Sequence, residues 1–198
     1  MQHIINKLPL YISQKRLKHT ISVSKKAIEL AQLYKQNEEK ATIAALIHDS
    51  AKEFSPAKCR QNSIKLSNFQ EEIYQSYQSI WHALIVDQFA SIVFGIKDPE
   101  VLGAAKWHTT GHPEMSELAK IIFVADYIDP LRGYKDQIEI EELAKKSLDD
   151  AILIILIKTI RLLLVKHATI YEATIACYNK ALIKTTLDKK NIDELTKL

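Results

Sequence analysis

Residues 41–49 read ATIAALIHD, and this stretch decides the fold. Ala41, Ala44, Ala45, His48 and Asp49 fall at i, i+3, i+4, i+7 and i+8, the spacing that puts side chains on one face of a helix. The face is apolar for two turns and then ends in an imidazole and a carboxylate. Its packing partners must therefore accommodate polar groups. The same pattern recurs on both sides. His19 heads a stripe with Val23, Ala27 and Leu30, and His82 heads another with Val86, Phe89, Ala90 and Val93. Val101, Ala104, Ala105 and His108 make a further stripe, and Ile122 lies four residues before Asp126. Five predicted helices thus aim six ligand-type side chains, His19, His48, Asp49, His82, His108 and Asp126, toward one interior.

Prolines and glycines fall where such helices end: Pro9, Pro56, Pro99, Gly111, Pro113 and Pro130. The spacing predicts helices over 14–34, 38–52, 69–77, 82–94, 99–107, 116–128, 138–166 and 170–182. Four glycines and five prolines in 198 residues are too few for the many turns of a sandwich or barrel. With 47% hydrophobic residues, the chain suits one all-α domain with a substantial core.

Composition also excludes several functions. The net charge of +3 comes from 27 basic and 24 acidic residues interspersed along the chain, which leaves no strong electrostatic footprint for nucleic acid and disfavours that role. Residues 151–165 are the most apolar run, but Lys158 and Arg161 break it and it falls short of the ~20 residues of a membrane span. It reads as a core helix, and its abundance of apolar residues permits a homodimer contact. Asn6, Lys7 and Pro9 interrupt any secretory-type apolar run near the start. Cys59 and Cys177 stand apart without a CxxC spacing, which suits a reducing compartment. The expected location is the cytoplasm.

A lone histidine on an apolar face is usually a satisfied core residue. Joint occurrence changes the balance. Asp49 and Asp126 are costly to bury as anions unless opposite charge is present, and bound cations supply it. Imidazoles with carboxylates and no thiolate suit first-row metals such as iron, manganese, cobalt, nickel or zinc, and match calcium poorly.

The ordered set resembles the HD superfamily and, more narrowly, the YqeK family. The resemblance is carried by RLKHT at 16–20, AALIHDSAKE at 44–53, WHTTG at 107–111 and IIFVADYIDP at 121–130, and continues through TIACYN at 174–179. Only about the last fifteen residues look unmatched, as a tail on one HD-type helical bundle spanning 1–198. The resemblance implies two divalent metal ions, iron foremost: one held by His19, His48, Asp49 and Asp126, the other by Asp49, His82 and His108. It also implies symmetrical cleavage of diadenosine tetraphosphate to two ADP by a metal-bridging hydroxide. That chemistry dispenses with a Ser or Cys nucleophile.

Lys52 follows Asp49 by three residues, where its ammonium either meets a phosphate or pairs with a neighbouring acid such as Glu53. Thr109 and His112 lie in the loop after His108, which either contacts polyphosphate or satisfies its own backbone. The family pattern departs at His112, where arginine is usual, and near Glu114, where glycine is. Arg132 is either a phosphate ligand by resemblance or a plain surface arginine. Asp129 is either a partner to a metal-bound histidine or a solvated helix end. Trp81 and Trp107 are expected as core fillers. Other readings of the same donors are a phosphohydrolase of other nucleotides, a non-catalytic nucleotide-binding regulator and a di-iron oxygenase.

Overall fold

Asn37, Ser55, Asp98, Ser116 and Ser147 each accept a backbone N–H from the turn that follows them, and each starts a helix. Pro56 and Pro99 occupy first-turn positions where no N–H is needed. In this computed structural model, which describes residues 1–197, the elements are helices and turns, with no strand among the described residues. In order they are α1 (Gln2–Lys7), α2 (Gln14–Leu33), α3 (Glu38–Ile47), α4 (Pro56–Gln61), α5 (Asn68–Glu72), α6 (Trp81–Phe94) and α7 (Pro99–Trp107). There follow α8 (Glu117–Tyr127), α9 (Gln137–Lys146), α10 (Leu148–Val165), α11 (Glu172–Lys184) and α12 (Lys189–Leu195). The all-α expectation holds.

α3 and α8 form the centre of the bundle. Both pack against α2 and α7, α6 lies on α7, and α10 covers α8 while carrying α9 and α11. The buried faces are those the periodicity selects: Val23, Ala27 and Leu30 on α2, Ala41, Ala44 and Ala45 on α3, Val101, Ala104 and Ala105 on α7. Trp81 is buried against Tyr74, with ring centroids 5.0 Å apart. No helix is long and apolar enough to cross a membrane among the described residues.

The predicted helix over 138–166 is two. Ser147 adopts extended φ −154° and ψ 115° and caps α10 through its hydroxyl, so the chain breaks there. The predicted helix over 38–52 stops at Ile47, and residues 48–53 are turns. Helix α5 likewise ends at Glu72, well before residue 77. The periodicity misses α1, α4 and α12, which are too short to show a stripe. Gly111 has φ +63°, and a Cβ there would lie 2.7 Å from Cys177 Sγ, so only glycine lets α11 approach this turn.

Candidate metal centre and its cleft

Three helices end at one place. His48 caps the C-terminus of α3, His108 caps that of α7, and Asp126 is in the last turn of α8. Each terminus directs the negative end of its peptide dipoles at the spot, which favours a cation. His82, in the first turn of α6, and His19, inside α2, complete the ring. All six expected donors come together; all are buried except His19, which is half-buried.

Asp49 stands at the centre, and its two oxygens face different neighbours. Oδ1 lies 3.0 Å from His82 Nε2 and 3.7 Å from His108 Nε2. Oδ2 lies 3.8 Å from His48 Nε2 and 3.9 Å from His19 Nε2. Asp126 Oδ1 is 3.0 Å from His19 Nε2 and 3.6 Å from His48 Nε2.

The histidine tautomers follow from the second ring nitrogen. His48 Nδ1 sits 2.6 Å from the Ala45 carbonyl and His108 Nδ1 2.6 Å from the Ala105 carbonyl, so both carry the proton on Nδ1. Each Nε2 then presents a lone pair to the centre. Burial drives His82 down to about 3 and also lowers His108, which keeps both rings neutral. His82 and His108 Nε2 approach to 3.1 Å, and among the described residues neither His82 Nδ1 nor the buried His48 Nε2 has a partner. Burial pushes the Asp49 and Asp126 carboxyls up, but hydrogen bonds and charge from the side chains around them, histidines at Asp49 and histidines with Arg132 at Asp126, outweigh it and hold both well below the usual range. Anionic oxygens and imidazole nitrogens thus converge, a donor set that divalent metal fits. Two triads have ligand atoms within 4.8 Å of one another: His19, His48 and Asp126, and His48, Asp49 and His108.

Around this centre the protein's own cations pair with the carboxylates. Arg16 Nη1 donates to Asp49 Oδ2 at 2.5 Å, and Arg132 donates to both oxygens of Asp126 and, from Nε, to its carbonyl at 2.7 Å. Lys52 reaches its place through a turn rather than a helical face, with Nζ 3.8 Å from Asp49 Oδ1 and 3.3 Å from the Ser79 carbonyl. Asp129 is fully buried, and its Oδ2 lies 2.6 Å from His19 Nδ1.

The centre opens into a cleft of about 490 Å³, in the size range of small-molecule sites. Lys52, Thr109 and Arg132 line it, joined by Lys135, Lys158 and Lys197. His112 does not. Its ring stacks on Trp107 with centroids 4.2 Å apart, Nδ1 accepts the Glu114 N–H at 3.1 Å, and it borders a separate pocket beside Cys177. The turn fixed at Gly111 carries it away from the histidine and aspartate centre.

The description of the HD domain matches residues 16–131. The chain belongs to the HD-domain family. This HD-domain protein is 38% identical over 174 residues to the symmetrical bis(5'-nucleosyl)-tetraphosphatase of Halalkalibacterium halodurans, covering 88% of this chain and 92% of that one. It is 32% identical over 168 residues to the enzyme of the same name from Bacillus subtilis, covering 85% and 90% respectively. A solved structure from Clostridium acetobutylicum, described as a predicted HD superfamily hydrolase involved in NAD metabolism, superposes with a TM-score of 0.82 at 34% identity. That superposition covers 93% of this chain and 97% of the other.

Sequence reasoning missed several residues at the HD-domain site. Arg16 was within reach, since it stands three residues before His19 on the same helical face. Tyr134, Lys135, Asp136, Lys158 and Lys197 enter the cleft from a loop, α10 and the turn after α12, and no periodicity marks them.

Proposed function

We propose that the protein hydrolyses diadenosine tetraphosphate symmetrically, giving two ADP. The observation that carries this reading is the opening of the histidine and aspartate centre onto a cleft edged by Lys52, Arg132, Lys135, Lys158 and Lys197, which suits a polyanion. The tetraphosphatases to which the chain is 38% and 32% identical support the choice of substrate.

His19, His48, Asp49 and Asp126 would hold one divalent ion, and Asp49, His82 and His108 the other, with Asp49 shared. The division of Asp49 Oδ1 and Oδ2 between the two sets of histidines supports this arrangement. Nitrogen and oxygen donors without thiolate favour iron, with manganese, cobalt, nickel or zinc as substitutes. Bound there, such ions would supply Lewis acidity that lowers the pKa of water and offsets charge at phosphorus.

The remaining work falls to the chain. Lys52 Nζ and the Arg132 guanidinium flank the carboxylates and offer N–H donors to phosphate oxygens, where charge grows during displacement. Thr109 Oγ1 has no partner among the described residues and is a further donor to the same oxygens. Asp129 holds the His19 ring in orientation, and the Ala45 and Ala105 carbonyls do so for His48 and His108.

The test is chromatography of nucleotide products after incubating the protein with diadenosine tetraphosphate and ferrous or manganous ion, beside a metal-stripped control. ADP as sole product, dependent on metal, is expected. AMP with ATP would overturn the symmetrical register, and absence of turnover at full metal occupancy would overturn the activity.

A further inference from the structure

Asp136 occupies the N-cap position of α9, yet its side chain caps nothing. Aspartate is among the preferred N-cap residues because its carboxylate accepts a first-turn N–H. Here φ −95° and ψ 6° depart from the extended capping conformation, and the carboxylate belongs to the wall of the metal cleft instead. Two donors hold it: the Tyr127 hydroxyl at 3.0 Å and Lys158 Nζ at 2.5 Å. Both bind Oδ2. Among the described residues no protein donor bonds Oδ1.

The surroundings give that acceptor a context. Tyr127 and Tyr134 lie with ring centroids 4.9 Å apart, and Tyr134 is 44% exposed. Phe123, Ile155 and Leu162 supply apolar wall to the same cleft. The cleft therefore carries metal-type donors and cations and, besides these, aromatic and apolar surface with a carboxylate fixed by Tyr127 and Lys158. Polyphosphate needs only the donors and cations. An aromatic platform beside an oriented acceptor suits a flat heterocycle and a group that donates a hydrogen bond.

Resting on the nucleotide reading above, we infer that Asp136 is the residue by which the cleft recognises nucleoside: Oδ1 accepts from a ribose hydroxyl or an exocyclic base amine, while Tyr134 carries the base. Tyr127 and Lys158 are positioning residues that hold the carboxylate. Giving up the helix cap is the structural cost of this orientation.

Calorimetry on the metal-loaded full chain tests the inference without requiring turnover, so that its failure is separable from failure of the proposed reaction. The ligands are ADP and inorganic tripolyphosphate. Asp136→Asn is expected to weaken ADP about tenfold and to leave tripolyphosphate within about twofold, as expected for loss of a single oriented hydrogen bond. Equal weakening of both ligands, or none for ADP, overturns the assignment. The wild-type protein gives an independent reading with 2',3'-dideoxy-ADP and inosine diphosphate. The weaker binder of the two identifies the donor as ribose hydroxyl or base amine, and both binding as tightly as ADP overturns the proposal even if the variant fails to fold.

Discussion

His19 Nδ1 and Asp129 Oδ2 lie 2.6 Å apart, and Asp129 is fully buried although it follows the last turn of α8. The contact fixes which nitrogen of His19 faces Asp49 and Asp126. Asp129→Ala is therefore expected to lower metal affinity or activity about 10- to 100-fold with the fold intact. Metal content after dialysis, compared with the helical signal in circular dichroism, checks this. A variant that keeps full metal and full rate would reduce Asp129 to a structural residue.

Asp49 is the group that the other donors share, so its loss should remove more than one contact. Asp49→Ala is expected to abolish both metal loading and turnover. Chelation of the wild-type protein should have the same effect, reversed by adding ferrous or manganous ion. Full metal content in the variant would remove Asp49 from the centre.

Lys52 approaches Asp49 and His82 from a turn, with Nζ 3.2 Å from His82 Nε2, and burial lowers its pKa. Lys52→Met keeps the length and removes the charge. We expect kcat to fall about 10²-fold, as for loss of one charged donor at a developing oxyanion. Bound metal, measured by elemental analysis, should be unchanged.

Asp150 ties α10 to the segment between α11 and α12. It accepts from Thr185 Oγ1 at 2.5 Å, Thr186 N at 3.0 Å and Thr186 Oγ1 at 2.7 Å. Burial pushes its carboxyl up, but the threonine hydrogen bonds outweigh this and leave it below the ordinary value. A depressed folded-state pKa means stability that is present above the unfolded aspartate pKa of about 3.9 and lost as pH falls through the folded value. Asp150→Ala should cost about 2 kcal/mol at pH 7, or roughly 4 to 8 °C in Tm. The gap between variant and wild type should narrow below about pH 4. A gap that stays constant from pH 7 to pH 3 contradicts the charged-acceptor role.

Gly111→Ala places a methyl group 2.7 Å from Cys177 Sγ at a backbone φ of +63°. The expected destabilisation is about 1 to 3 kcal/mol. Adding Cys177→Ala should recover the steric part and leave the backbone part. Thermal melts of the single and double variants separate the two, and no recovery would assign the whole cost to the backbone.

The helices that bear the donors were legible because burial imposes a periodic pattern: Val101, Ala104, Ala105 and His108 share a face in the sequence as in the fold. Helix ends were less so. His48 and Asp49 look like a continuation of α3, yet the helix stops at Ile47 and the pair sits in the turn beyond it. Ser147 illustrates the same limit, since its neighbours favour helix on both sides and the break rests on one residue whose hydroxyl caps α10. The metal donors carried their own signal as polar groups on apolar stripes. The cleft wall did not, because Tyr134, Lys158 and Lys197 are ordinary surface residue types whose role depends on where α9, α10 and α12 come to rest. His112 shows the opposite error: nearness in sequence to His108 did not survive the turn at Gly111.

The six donors come from five helices and the turns that end them, between residues 19 and 126, and converge on one point. Cations seated there would act as a cross-link among segments distant along the chain, so that loading and folding would become a single linked equilibrium. Were the metal in short supply, the protein would lose more than a reaction rate. It would be looser, and its lifetime as well as its activity would follow the metal.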